Sequence, residues 1–324
     1  MSNVTTNPAA LAALTVLRGV NADLGTVQEQ VTSGFRVGKA SDDPTYWSMS
    51  QTMQSDQNSL STITDALGLG SSKVDTASTA MDSVVDILTQ LQAKLVSAKE
   101  PGVDKDALNS DITQLKDQLQ SVTQSASFSG ENWLFSTSAQ PDTQQSVISN
   151  FTRGVGGQVS LVTVNYDSSQ TLMIDSADPS LGLLTKNVDA NSLASDGTST
   201  PRNYYLLAAD SGTPPADGTE ISVSDSTTDD QLTDMINVTS SLLKAATTAD
   251  STLGIMKSRL DDQSDYISKL SDNIKDSAGS LIDTNMEEAS ARQTALQTAQ
   301  QMGVQALSIA NTMASKVLIL LQSS

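Results

Sequence analysis

The chain has 324 residues, 37 acidic against 18 basic, and a formal charge of −19. It contains neither histidine nor cysteine. That excludes Ser-His-Asp and Cys-His catalysis, His- or thiolate-held metals, disulfides and iron–sulfur clusters. A polyanion of this kind repels nucleic acid and anionic lipid, so neither is an expected partner.

Aromatic residues make up only 3% of the chain, fewer than the core of a compact enzyme normally uses. The apolar run near the end, Val317-Leu318-Ile319-Leu320-Leu321, is far short of the roughly 20 residues that cross a bilayer. No membrane insertion is expected. The opening Met1-Ser2-Asn3-Val4 lacks a basic stretch followed by an apolar one, so no cleavable signal peptide is expected either.

Proline placement divides the chain. Pro8, Pro44 and Pro101 stand alone, Pro141, Pro179, Pro201, Pro214 and Pro215 cluster in the middle, and none follows. Both ends are therefore free to form long helices, and the middle is not. In the first segment Ala10, Ala13, Leu17, Val20, Leu24, Val27 and Val31 alternate spacings of three and four. The same alternation runs through Leu60, Ile63, Leu67, Gly70, Val74, Ala77, Met81, Val84, Leu88, Leu91 and Leu95. Glu100-Pro101-Gly102 stops that run, and Asp104 is a candidate N-cap for a helix carrying Leu108, Ile112, Leu115, Leu119 and Val122.

The middle alternates with a period nearer two. Gln158 to Tyr166 and Thr171 to Ile174, separated by Asp167-Ser168-Ser169-Gln170, predict a hairpin. Asn203 to Leu207 and Glu220 to Val223 are a second pair of short strands. Heptads resume at Leu232 and persist through Leu253, Leu260, Ile267, Leu270, Ile274 and Leu281. Over that stretch a helix would measure roughly 75 Å, which predicts an elongated molecule. The last segment offers Leu296, Ala299, Gly303, Ala306, Ala310, Met313, Val317 and Leu320. A period of 3.5 held this long means helices that supercoil on partners; a compact four-helix bundle is the alternative. A helix leading out and another returning should pair antiparallel.

Charge is distributed unevenly. From Ala289 to Ser324 the charged side chains are Arg292 and Lys316, and from Met1 to Ala22 only Arg18. A solvated helix normally carries Lys and Glu on its outer face, and an unpaired charge is costly to bury. Ends stripped of charge are built to be surrounded by protein, and the small residues Ala299, Gly303, Ala306 and Ala310 allow close helix approach. Each end alone is a marginal helix, so both should gain order when many copies pack together.

At these residues the chain resembles bacterial flagellin. The resemblance lies in Val31-Thr32-Ser33-Gly34-Phe35-Arg36-Val37 with Ala40-Ser41-Asp42-Asp43, in Ser127-Phe128-Ser129-Gly130, and in the Gln- and Ala-rich stretch from Ala289 to Leu321. Ser33, Gly34, Arg36, Asp42, Asp43, Phe128 and Gly130 are the signature positions. The resemblance covers about residues 1–135 and 230–324. It implies a subunit exported unfolded that polymerises at the distal tip of a helical tube. It further implies an inner wall of terminal helices, a next layer of long helices and an outward-facing middle. An export chaperone, a filament cap, junction proteins and other flagellins are the partners it implies besides copies of the chain itself.

Other constellations have plainer explanations. Asp42-Asp43-Pro44 could pair carboxylates for acid–base work, but Asp43 as N-cap with Pro44 opening a helix is the simpler reading. Gly154-Val155-Gly156-Gly157 has no preceding strand in this reading and no following Lys-Ser/Thr, so it is a turn rather than a phosphate loop. Asp225, Asp229 and Asp230 complement a helix start. Tyr46 and Trp47 either anchor a subunit contact or fill a local core. Asn150-Phe151-Thr152 and Asn237-Val238-Thr239 match the N-glycosylation triplet.

The expected fold is mostly α: a long antiparallel, coiled-coil-like bundle of N- and C-terminal segments with a small β-rich, outward-facing middle. Five segments are expected: 1–43 and 285–324 for the filament core, 44–135 and 229–284 for the helical wall, and 136–228 for the variable surface. The expected assembly seams are Leu17, Val20, Leu24, Val27, Val31, Leu296, Ala299, Gly303, Ala306, Ala310, Met313, Val317 and Leu320. The expected wall core is Leu60, Ile63, Leu67, Val74, Leu88, Leu91, Leu95, Leu253, Leu260, Ile267, Leu270 and Ile274. The expected function is mechanical, in a secreted filament for swimming, without catalysis or cofactor. A hook–filament junction protein is the alternative within the family, and a glycan-binding adhesin the alternative outside it.

Overall fold

The computed structural model describes residues 7–138, 141, 143–154, 157–193, 202–208 and 218–322, with side chains as far as residue 313. Helix α1 (Pro8–Ser33) opens with Pro8 in its first turn and Asn7 as N-cap, whose side chain accepts from Ala10 N at 3.1 Å. It ends at Gly34, which sits at φ 77° and donates to Gln30 O. That left-handed position is where glycine is favoured. Helix α2 (Pro44–Ser97) is capped by Asp43, whose Oδ1 accepts from Thr45 N and Tyr46 N at 2.9 and 3.1 Å. It stops before Glu100-Pro101-Gly102.

Helix α3 (Lys105–Ser125) starts at the expected Asp104, which accepts from Ala107 N. Helix α4 (Asp229–Ile282) starts with a capping box: Gln231 Oε1 accepts from Thr228 N at 3.0 Å, and Thr228 Oγ1 from Gln231 N at 3.3 Å. Asp229 and Asp230 occupy its first turn, the favourable end of the helix dipole for acids. Helix α5 (Met286–Gln322) is capped by Asn285, whose side chain accepts from Glu287 N and Glu288 N.

The chain divides into two compact units, residues 1–58 with 270–324, and residues 59–269. The expected boundaries at 43/44 and 284/285 coincide with helix starts, whereas the division into units falls inside α2 and α4.

In the larger unit α2 and α4 run antiparallel. Asp75 pairs with Lys257, Ser78 Oγ donates to Asp250 Oδ1 at 3.0 Å, and Lys99 Nζ donates to Thr233 Oγ1 at 2.9 Å, so numbers rising along one side fall along the other. Leu60, Ile63, Leu67, Val74, Leu88, Leu91 and Leu95 are buried on α2, and Leu253, Leu260 and Ile267 on α4. Each such side chain is worth roughly 1.5–3 kcal/mol when fully buried. Leu270 and Ile274 belong to the other unit and are half-buried. Helix α3 adds buried Ile112 and Leu119, and its Lys94–Asp111 ion pair with α2 measures 2.6 Å.

The strand-rich middle holds β1 (Ser127–Phe128), β2 (Glu131–Asn132), β3 (Phe135–Ser136), β4 (Gln144–Arg153), β5 (Val159–Asp167), β6 (Ile174–Asp175), β7 (Val188–Asp189), β8 (Asn203–Tyr205) and β9 (Thr219–Glu220). β1 and β2 form a hairpin turned by Ser129 and Gly130, at φ 53° and 86°, the backbone a primed turn demands. The long hairpin is β4 with β5, not Gln158–Tyr166 with Thr171–Ile174. The register shifts between Ile148 and Asn150, and Ser149 is buried. This irregularity breaks the period of two, which is why β4 was not legible as a strand. Thr171–Ile174 is buried instead beneath Leu134, whose carbonyl accepts from Met173 N and Ile174 N.

Gly154 and Gly157 do form the turn, with Gly154 N donating to Gln158 O and Gly157 N to Gly154 O, but strand β4 precedes it, contrary to the expectation. β8 and β9 pair parallel, as do β3 and β6, while β7 pairs antiparallel with β8. Residues 209–217, which include Ser211 to Pro215, lie outside the described residues.

Trp133 stacks on Tyr166 with centroids 5.3 Å apart. Val147 of β4 seats on α2 at Gly70, where any Cβ would collide with its methyls. Arg202 Nε reaches Asp234 Oδ2 of α4 at 3.1 Å, tying this layer to the helices. The triplet at Asn237 lies inside α4, with Val238 and Thr239 fully buried.

Candidate assembly surface

Helices α1 and α5 pack antiparallel in the smaller unit. Asn7 Nδ2 donates to Ala310 O at 2.9 Å, and Gln300 Nε2 donates to Asn21 Oδ1 at 2.7 Å. Between these bonds Leu17 lies over Gly303, where an added Cβ would stand 3.1 Å from Leu17 Cδ1. A glycine there lets the two backbones approach. Leu24 and Val27 are buried on α1. Leu17, Val20, Val31, Leu296, Ala299, Gly303 and Ala310 are half-buried, while Ala306 and Met313 are exposed. Val317 and Leu320 belong to α5, but their side chains lie outside the described residues.

The signature residues between α1 and α2 build the junction that fixes this pair. Ser33 Oγ accepts from Phe35 N, and Phe35 bridges Asp283. Arg36 N and Val37 N both donate to Ile282 O, Arg36 Nη2 donates to Leu281 O, and Thr284 N donates to Gly34 O. Val37 is buried, and the Arg36 guanidinium lies 5.7 Å from the Tyr46 ring centroid, within cation–π reach. Asp42 Oδ2 accepts from Gly38 N and Lys39 N. Asp42 and Asp43 thus serve backbone turns and caps. The other signature pair, Phe128 and Gly130, forms the β1–β2 hairpin. Among the described residues there is no cluster of three or more potential metal-ligating side chains, and no helix is long and apolar enough to cross a membrane.

The α1–α5 contact covers one apolar face of each helix and leaves other apolar side chains exposed. Leu11 and Val16 on α1 and Met302, Val304, Ile309 and Met313 on α5 are all more than half exposed. Of these, heptad reasoning named only Met313. The signal for the rest was present in the sequence: apolar residues off the heptad, within Met1–Ala22 and Ala289–Ser324, where charge is nearly absent.

Residues 4–139 match the bacterial flagellin N-terminal helical region, and residues 236–321 the bacterial flagellin C-terminal helical region. The chain belongs to the bacterial flagellin family. It is 48% identical to Flagellin C of Rhizobium meliloti (strain 1021), over 99% of this chain and 100% of that protein. It is 34% identical to Flagellin A of the same strain, over 99% and 100%, and 31% identical to a flagellin of Brucella melitensis, over 99% of each. As a flagellin it is a structural subunit that polymerises with its own kind into the flagellar filament of motile bacteria.

Proposed function

We propose that the face left open on α1 and α5 is where one copy meets the next in the filament, with the two helices forming its core. The carrying observation is the near absence of charge from Met1–Ala22 and Ala289–Ser324 together with the apolar side chains left exposed on the helix pair, Leu11 and Val16 on α1, Val304 on α5, and Met302, Ile309 and Met313 on one face of α5. Exposed in water these side chains are unfavourable; against another copy they gain about 25 cal/mol per Å² of apolar surface removed from water. On this reading the expected seam residues divide: Leu17, Val20, Leu24, Val27 and Val31 with Leu296, Ala299, Gly303 and Ala310 hold the pair together, and Ala306 and Met313 face neighbours.

Segments 44–135 and 229–284, most of whose residues lie in the larger unit, supply the helical wall, and the strand-rich segment 136–228 faces outward. The chain is exported unfolded through the flagellar apparatus with an export chaperone, adds beneath a filament cap, follows junction proteins and joins other flagellins. It catalyses no reaction. Deleting residues 289–324 should leave the α2–α4 unit folded by circular dichroism yet abolish filaments in electron micrographs. Normal filaments from the truncated chain would overturn this reading.

A further inference from the structure

Methionine carries all the sulfur in this chain, ten residues against no cysteine, and among the described residues its exposure differs between the two units. In residues 59–269, Met81, Met173, Met235 and Met256 are at most 4% exposed. In the other unit Met49, Met286, Met302 and Met313 are 45–64% exposed, and Met53 is half-buried. Met302, Ile309 and Met313 follow one another at spacings of seven and four. At 100° per residue they fall within an arc of about 40° on one face of α5. Two reachable thioethers therefore sit on the exposed apolar face of α5 assigned above to contact between copies.

We infer that Met302 and Met313 are peroxide-oxidation sites that decide whether a subunit is competent to assemble. A peroxide transfers one oxygen to the thioether sulfur: the S–O bond forms, the O–O bond breaks, sulfur loses two electrons, and hydrogen peroxide leaves as water. The product is a polar sulfoxide in place of a flexible apolar side chain. Burying its oxygen without a hydrogen-bond donor is unfavourable, so an oxidised subunit docks poorly. A subunit already in the polymer has the same sulfurs covered. This inference rests on the proposed burial of the α5 face between copies.

The test exposes full-length protein to hydrogen peroxide, once as dissociated subunits and once as polymer. Peptide mass spectrometry reads sulfoxide at each methionine, and sedimentation reads polymerisation. In subunits Met302 and Met313 should oxidise several-fold faster than Met81, Met173, Met235 and Met256, and in polymer their rate should fall toward that of the buried four. Oxidised subunits should polymerise several-fold less, whereas the Met302→Leu/Met313→Leu double variant should polymerise equally well before and after peroxide. Equal rates in subunit and polymer, undiminished polymerisation of oxidised wild type, or a leucine variant as sensitive as wild type would each overturn the inference. If untreated wild type does not polymerise, the proposed contact face falls and takes this inference with it. If it polymerises but ignores oxidation, only this inference falls.

Discussion

Asp82 of α2 and Asp250 of α4 face each other across the helix pair, with Ser78 Oγ donating to Asp250 Oδ1 at 3.0 Å. Desolvation, then the charge of Asp250 and a hydrogen bond to it, and lastly Asp86, push the Asp82 carboxyl above its ordinary value of 3.8. A raised folded value means that the folded state binds this proton more tightly. The resulting stabilisation is complete below the unfolded value and disappears as pH rises through the folded one. At neutral pH what remains is repulsion, weakened by solvent because Asp82 is exposed. Asp82→Asn should therefore raise the melting temperature modestly at pH 7, by less than about 1 kcal/mol in stability, and the gain should shrink toward pH 4. A gain that grows on acidification would contradict the pairing. Lys116 shows the opposite sense: burial pushes its ammonium down, and Glu220 at 2.7 Å draws it part of the way back.

Between elements, the seating of β4 on α2 depends on a missing side chain. Gly70 lies mid-helix, where glycine costs about 1 kcal/mol relative to alanine, and Val147 occupies the space its Cβ would need. Gly70→Ala should destabilise the larger unit by about 1–3 kcal/mol despite the better helix propensity. Adding Val147→Ala should recover most of the loss, and urea unfolding of the two single variants and the double variant measures the coupling. Full additivity would show that the two sites do not touch. The same contact marks the boundary of what could be read from sequence. The heptads through Leu60–Leu95 and Leu232–Ile267 were legible because a buried stripe repeats. So were the caps Asp43 and Asp104, because capping is local chemistry. The role of Gly70 was not, because Val147 arrives from 77 residues away on a strand whose own alternation is broken at Ser149. For the assembly surface, the heptads gave the pairing stripe of α1 and α5. The apolar side chains left over became visible only once that pairing had covered the rest.

For the molecule as a whole, self-association must overcome like charge. Each copy brings −19, yet α1 (Arg18, Asp23, Glu29) and α5 (Glu287, Glu288, Arg292, Lys316) together sum to only −1, so repulsion acts mainly on approach rather than on the final contact. Raising sodium chloride from about 20 to about 200 mM shortens the screening length from roughly 20 to roughly 7 Å. Elongation followed by light scattering should accelerate over that range. A rate that falls with salt would mean that attraction between opposite charges, not apolar burial, drives addition.

The bond from Asn7 to Ala310 joins residues 303 positions apart, and the Leu17–Gly303 contact is almost as remote in sequence. The first helix to emerge is thus wedded to the last. Until the final stretch of chain is delivered, α1 has no intramolecular mate, and closing so long a loop is a late event in folding. A chain that stops short of α5 therefore leaves Leu17 of α1 with no partner helix to lie over.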